Sequence, residues 1–124
     1  MWQYWWYGDP NGIDPWRKWY DDQNGAVRGR HDDVFRFLEA RQNWGEPHAK
    51  KIDDFVEIIL KTNVQHRLLG FYWPPQARFS FTFVLPCTHN GKKYTPRDAF
   101  ETAGKRIREL KNGSTWMKRC VRPE

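Results

Sequence analysis

Between positions 79 and 85 large apolar side chains (Phe79, Phe81, Phe83, Leu85) alternate with Ser80, Thr82 and Val84, and Pro86 closes the run. A two-residue period of this kind describes a strand with one face on a core. Two further strand-like runs precede it, FVEIILK at 55–61 and VQHRLLGFYW at 64–73, set apart by a Thr62-Asn63 turn and by Pro74-Pro75. Three such runs with short connections predict an antiparallel meander. The 124 residues suit one domain with one core.

Before the meander, residues 2–7 read as an opening strand and residues 8–12 as a long turn. Asp14-Pro15 offers an N-cap and a first helical residue, and Trp16, Trp19 and Tyr20 follow at i, i+3, i+4 spacing. A second helix is expected over 29–42, burying Val34, Leu38 and either Phe35 or Phe37, with Gly45 ending it and residues 46–51 as a link. After the meander, Asn90-Gly91 signals a turn. Thr95 fits an N-cap, Pro96 the first helical position and Asp98 a carboxylate in the first turn. The last helix is therefore predicted from Pro96 to about Lys111. Its apolar stripe is Ala99, Phe100, Ala103, Ile107 and Leu110, and its polar side Lys105, Arg106, Arg108 and Lys111. The expected fold is α+β, with an N-terminal helix pair, an antiparallel sheet of three to four strands and a C-terminal helix. One domain covers 1–113, and 114–124 is a basic tail.

The net charge of +6 is unevenly spread. Residues 1–60 hold eight Lys/Arg against eleven Asp/Glu, whereas residues 61–124 hold thirteen against four. That asymmetry points to a polyanionic partner, nucleic acid first, with a merely solvated basic surface as the alternative. Cys87 and Cys120 stand far apart and fit reduced thiols better than a disulfide framework. With no CxxC or HExxH, no metal and no cofactor is expected. No run approaches the ~20 apolar residues of a membrane span. The N-terminus lacks the marks of a signal peptide, so a cytoplasmic protein without a membrane partner is the expectation.

Lys92, Lys93 and Tyr94 arrive together, with His89 just before them, between a strand end and a helix start. Two ammonium groups, a phenol and an imidazole make that turn a place to handle phosphate. The other histidines read more blandly. His66 alternates away from Arg67 and suits packing, His48 beside Pro47 a loop hydrogen bond, and His31 a solvated helix face. Tyr94 equally suits packing on the last helix, the tryptophans suit core packing, and Cys87 suits a buried thiol.

In order and spacing the chain resembles the RelE/HigB superfamily of toxin–antitoxin ribonucleases, most closely the branch of phage-derived proteins. Asp9, Gly12, Pro15 and Trp19 match its opening motif. Gly45, Pro47, His48, Lys50, Lys51 and Ile52 match the link, and Glu57-Ile58-Ile59 the Glu-Leu-Arg strand. His66-Arg67-Leu68-Leu69 matches the Tyr-Arg strand core. Residues 81–85, then Lys92-Lys93-Tyr94-Thr95-Pro96, then Asp98 and the region of Ala103 match the final strand, turn and helix. The similarity runs over roughly residues 3–111.

That resemblance implies a metal-independent endoribonuclease acting on mRNA, often at the ribosome, by attack of a 2′-hydroxyl on the adjacent phosphate. It implies a cognate antitoxin, with a helix-turn-helix, as partner. By motif position Arg67 would clamp the phosphate, a task its planar fork suits. Lys50 or Lys51 would approach from the link, and Lys92 and Lys93 from the turn. Tyr94 or His89 would move protons or stack on a base. Lys61, Arg97, Lys105 and Arg108 would track RNA phosphates. The chain departs from the pattern at Ile59, where the family has Arg, with Lys61 two residues on. It departs again in the turn, where the lysines are displaced. Those departures keep two rivals open: a non-catalytic phage-derived binding protein on the same fold, and an RNA-binding domain without a reaction.

Overall fold

The computed structural model describes residues 2–8, 15–115 and 117–119. The expected turn at 9–12, the Asp14 cap, Cys120 and the end of the tail lie outside the described residues. In chain order the elements are β1 (Gln3–Tyr7), α1 (Pro15–Asp21), α2 (Gly25–Glu39), β2 (Ala49–Ile52), β3 (Phe55–Lys61), β4 (Gln65–Phe71), β5 (Ser80–Asn90), β6 (Lys93–Thr95), α3 (Ala99–Lys111) and β7 (Met117–Arg119). The class is α+β. The sheet runs β2-β3-β4-β5-β1-β7, with β6 paired to the end of β5. No helix among the described residues is long and apolar enough to cross a membrane.

The meander forms as the alternation demands, with Ile59 opposite Arg67 and Arg67 opposite Cys87 in antiparallel ladders. The sheet is larger than three or four strands. Residues expected as link, basic turn with its helix cap, and tail supply β2, β6 and β7, and β1 docks parallel to β5, Trp6 opposite Phe83. Helices α1 and α2 cover one face over Tyr4, Trp6, Ile58, Leu60, Leu68, Phe81 and Phe83. Helix α3 covers the other over Phe55, Leu69, Phe71, Val84 and Cys87.

Three boundaries move for identifiable reasons. Helix α2 starts at Gly25 rather than 29, because the Asn24 side chain accepts from the Val27 N–H at 3.0 Å and caps it there. Its buried stripe is Val27, His31, Val34, Phe35 and Leu38, while Phe37 is exposed. His31 is thus buried, not solvated: it stands one helical turn from both Val27 and Phe35. Trp16 Nε1 donates to its Nε2 at 3.0 Å and its Nδ1 lies 3.0 Å from Asp32 Oδ1, so the ring is satisfied.

Strand β5 does not stop at Pro86. Its outer edge is paired by β1 through Phe83 and by β6 from Thr88, so Pro86 falls in the open stretch between them, where a missing N–H is tolerated. A bulge shifts the register, Leu69 facing Leu85 but Gly70 facing Phe83. The extra residue, Val84, ends the simple alternation and joins the α3 side. Arg106 of α3 fills the open edge, its Nη1 donating to Val84 O at 2.6 Å. The last helix starts at Ala99 rather than Pro96, because Thr95 pairs with Thr88 as a strand residue, and Asp98 caps without a side-chain hydrogen bond.

Candidate functional site

Strand alternation sets Glu57, Gln65, Arg67, Cys87 and His89 on the α3 side of the sheet, and Tyr94 joins them opposite His89. Glu57 is 1 % and Arg67 8 % exposed. Arg67 Nη1 donates to Glu57 Oε2 at 3.3 Å. Its Nη2 donates to Gln65 Oε1 at 2.8 Å and lies 3.4 Å from His89 Nδ1. Tyr94 donates its hydroxyl to the other carboxylate oxygen, Glu57 Oε1. The Tyr94 ring packs 4.6 Å from both the His89 and Phe100 rings. The cluster is a bound guanidinium whose buried Nε has no partner.

The electrostatics assign roles. Burial first, then the hydrogen bond and charge of Glu57, hold the Tyr94 phenol above its ordinary value, so near neutral pH it donates a proton to a hydrogen bond and cannot take one. Cys87, donating its thiol to Arg67 O at 3.4 Å, is pushed up to about 12, again mainly by burial and then by Glu57. It is an inert thiol. Because a guanidinium only donates, His89 Nδ1 faces it as an acceptor, and the neutral ring then carries its proton on Nε2.

Basic side chains ring this face unevenly. Lys50 lies opposite Glu57 and Lys61 opposite Gln65, both exposed, whereas Lys51 alternates toward the other face. Lys92 and Lys93 are exposed at the β5–β6 turn, which Gly91 closes at φ +62°. With Tyr94, Arg97 and Phe100 they line a cavity of about 550 Å³. Arg67 does not line it. The guanidinium and the lysine pair are joined through Tyr94, which lines that cavity and whose hydroxyl reaches Glu57. Lys105 and Arg108 are exposed on α3, while Arg106 turns inward.

His66 sits on the opposite face against Trp19, and burial lowers its pKa. His48 bonds through its backbone, but its ring Nδ1 has no partner and the ring packs 4.2 Å from Phe37. Sequence reasoning gave no role to Glu57 or Gln65. The signal was a lone carboxylate in an apolar strand, FVEIILK, which the meander brings onto the same face as Arg67. Among the described residues no group of three or more His, Cys, Asp or Glu could hold a metal ion.

Fold and site together define an α+β protein with a buried Glu–Arg–Tyr cluster beneath a basic rim. Compared with known proteins, the chain matches no family model, no curated protein and no solved structure.

Proposed function

We propose that this chain is a metal-independent endoribonuclease that cleaves mRNA in the cytoplasm, the toxin half of a type II toxin–antitoxin pair with a RelE-like arrangement. The observation that carries the reading is one cluster on one sheet face, in which Gln65 and His89 meet the Arg67 guanidinium while Arg67 and Tyr94 meet the Glu57 carboxylate. Attack of a 2′-hydroxyl on the adjacent phosphate needs cations for the charge that builds on phosphorus and a group to move protons. The Arg67 guanidinium, with Lys50 and Lys61 at the rim, serves the charge. Tyr94, held protonated, donates a hydrogen bond, which leaves proton exchange to His89. Lys92, Lys93 and Arg97 hold the flanking strand at the neighbouring cavity. The ribosome and a helix-turn-helix antitoxin are the partners this reading brings.

One observation favours a second reading, RNA binding without cleavage. Glu57 already neutralises the guanidinium meant for the phosphate. Purified protein incubated with a transcript in EDTA, with and without ribosomes, separates the two. Cleavage leaving 5′-hydroxyl ends, lost in Lys92→Ala with Lys93→Ala and in His89→Ala, supports the nuclease. Binding that weakens steeply with salt while transcripts stay intact leaves the binding domain.

A further inference from the structure

The cavity of about 550 Å³ beside the β5–β6 turn is lined by charges of both signs. The turn and β6 supply Lys92, Lys93 and Tyr94, the connection to α3 supplies Arg97, and the first turn of α3 supplies Phe100 and Glu101. Among the described residues, none of the three cations makes an ion pair with Glu101 or with any other carboxylate. Four exposed charged side chains therefore line one cavity without bridging it. A ligand that satisfies both signs carries an anion and N–H donors on one framework.

The aromatic lining says what that framework is. Tyr94 and Phe100 are half-buried, their ring centroids 4.6 Å apart and their planes at 53°. Other partners hold each ring: the Tyr94 hydroxyl is bonded to Glu57 and its ring packs on His89, while Phe100 meets Phe55 edge-on at 5.0 Å. Rings already fixed lose little freedom when a flat group packs on them. A phosphate for the cations and a planar ring for the aromatics make a nucleotide, and the volume suits a small ligand. The carboxylate selects the base. Guanine alone among the four RNA bases presents two N–H donors side by side, N1–H and the 2-amino group, and one carboxylate accepts both. Adenine and cytosine set an amino group beside a ring-nitrogen lone pair, and uracil sets its N–H between two carbonyls. Each of those three turns a lone pair toward Glu101.

We infer that this cavity is a guanosine-nucleotide site, with the phosphate on Lys92, Lys93 and Arg97 and the guanine edge on Glu101. The guanylate is either a free nucleotide or one unit of an RNA strand, and the recognising chemistry is the same for both. Its part in choosing where a strand docks rests on the RNA reading proposed above. Glu101 also complements the dipole at the start of α3, but that role is blind to base identity, so experiment separates the two.

The test is calorimetric titration of the full chain with 5′-GMP, 5′-AMP, 5′-CMP and 5′-UMP, and with a short oligoadenylate carrying or lacking one guanosine. The guanine ligand is expected to bind about tenfold or more tighter than the others, the discrimination of a bidentate base contact. Glu101→Gln should erase that preference and leave 5′-AMP binding no weaker. Because the side chain is exposed, its melting temperature should stay within about 3 °C of wild type. Lys92→Ala with Lys93→Ala should weaken all four nucleotides alike. A preference seen with the mononucleotides assigns a free nucleotide, and one seen only in the oligomer assigns a strand. Transcripts neither bound nor cut, with 5′-GMP still held through Glu101, would end the RNA reading and keep the site. Equal affinity for every base, no binding of any probe, or a guanine preference that survives Glu101→Gln would overturn the site, whatever the transcript assay shows.

Discussion

Glu57 and Arg67 form an ion pair inside the protein, Oε2 to Nη1 at 3.3 Å, with their side chains 1 % and 10 % exposed. Removing either partner strands the other charge away from water. Glu57→Ala should cost about 3–5 kcal/mol. Joint replacement by apolar residues of similar volume, Glu57→Leu with Arg67→Met, should recover most of that. Urea denaturation of the two variants checks it, and an unchanged midpoint for Glu57→Ala would show that the pair carries no such strain.

Tyr94 couples that pair to the cavity of Lys92 and Lys93, so its hydroxyl and its ring are separable in experiment. Tyr94→Phe keeps the packing on Phe100 and loses the bond to Glu57, at about 1 kcal/mol of stability. If the cluster cleaves RNA, the same change should lower the rate by about 100-fold. The phenol's raised pKa gives a second readout. Its stabilising contribution is complete below the ordinary value of 10 and declines as pH rises beyond it. The gap in stability between wild type and Tyr94→Phe should therefore narrow above pH 10, and a gap that widens there would contradict the assigned direction.

How much of this was visible in the residues alone depends on whether a feature is local. Strand β3 lies where its run of β-branched residues says, and the alternation of β4 correctly separates Arg67 from His66. The parallel docking of β1 on β5 has no local signature, since nothing in QYWWY specifies which edge it joins. The bulge at Val84 arises from a contact between strands, and it is what carries β5 past Pro86. His31 reads as polar until Trp16 and Asp32 are seen to satisfy it. Within the site, His89 and Tyr94 were legible by type and spacing, and Arg67 by its place in the motif the chain resembles. Glu57 was not, because its partner lies across a ladder that the sequence does not print.

Gly70 stands at that bulge, and its bareness is required. A Cβ there would lie 2.3 Å from the Thr82 carbonyl oxygen and 2.6 Å from the Phe81 ring. The carbonyl belongs to the strand backbone and cannot swing aside, so Gly70→Ala must push β4 and β5 apart. A loss of about 3 kcal/mol or more is expected, the scale of overpacking in a rigid core. Gly29→Ala, with open space at its Cβ, should by contrast stabilise α2 by about 1 kcal/mol. Thermal unfolding of the two variants gives opposite signs if the local geometry is as described.

Cys87 offers a probe that leaves every contact in place. Its thiol is 5 % exposed, donates to the Arg67 carbonyl and has a pKa of about 12 in place of the ordinary 9. Only the thiolate attacks a disulfide reagent, so native Cys87 should stay unreactive at pH 8 in a Cys120→Ser background and react once urea unfolds the chain. The raised value also fixes the sign of a pH effect. The unfolded thiol ionises near 9 and the folded one near 12, so stability is whole below pH 9 and declines toward 12, by about 1.4 kcal/mol per unit. Cys87→Ser should flatten that decline, because serine does not titrate there. Fast labelling of the native protein would mean that the strand pair around Arg67 opens far more often than so buried a cluster allows.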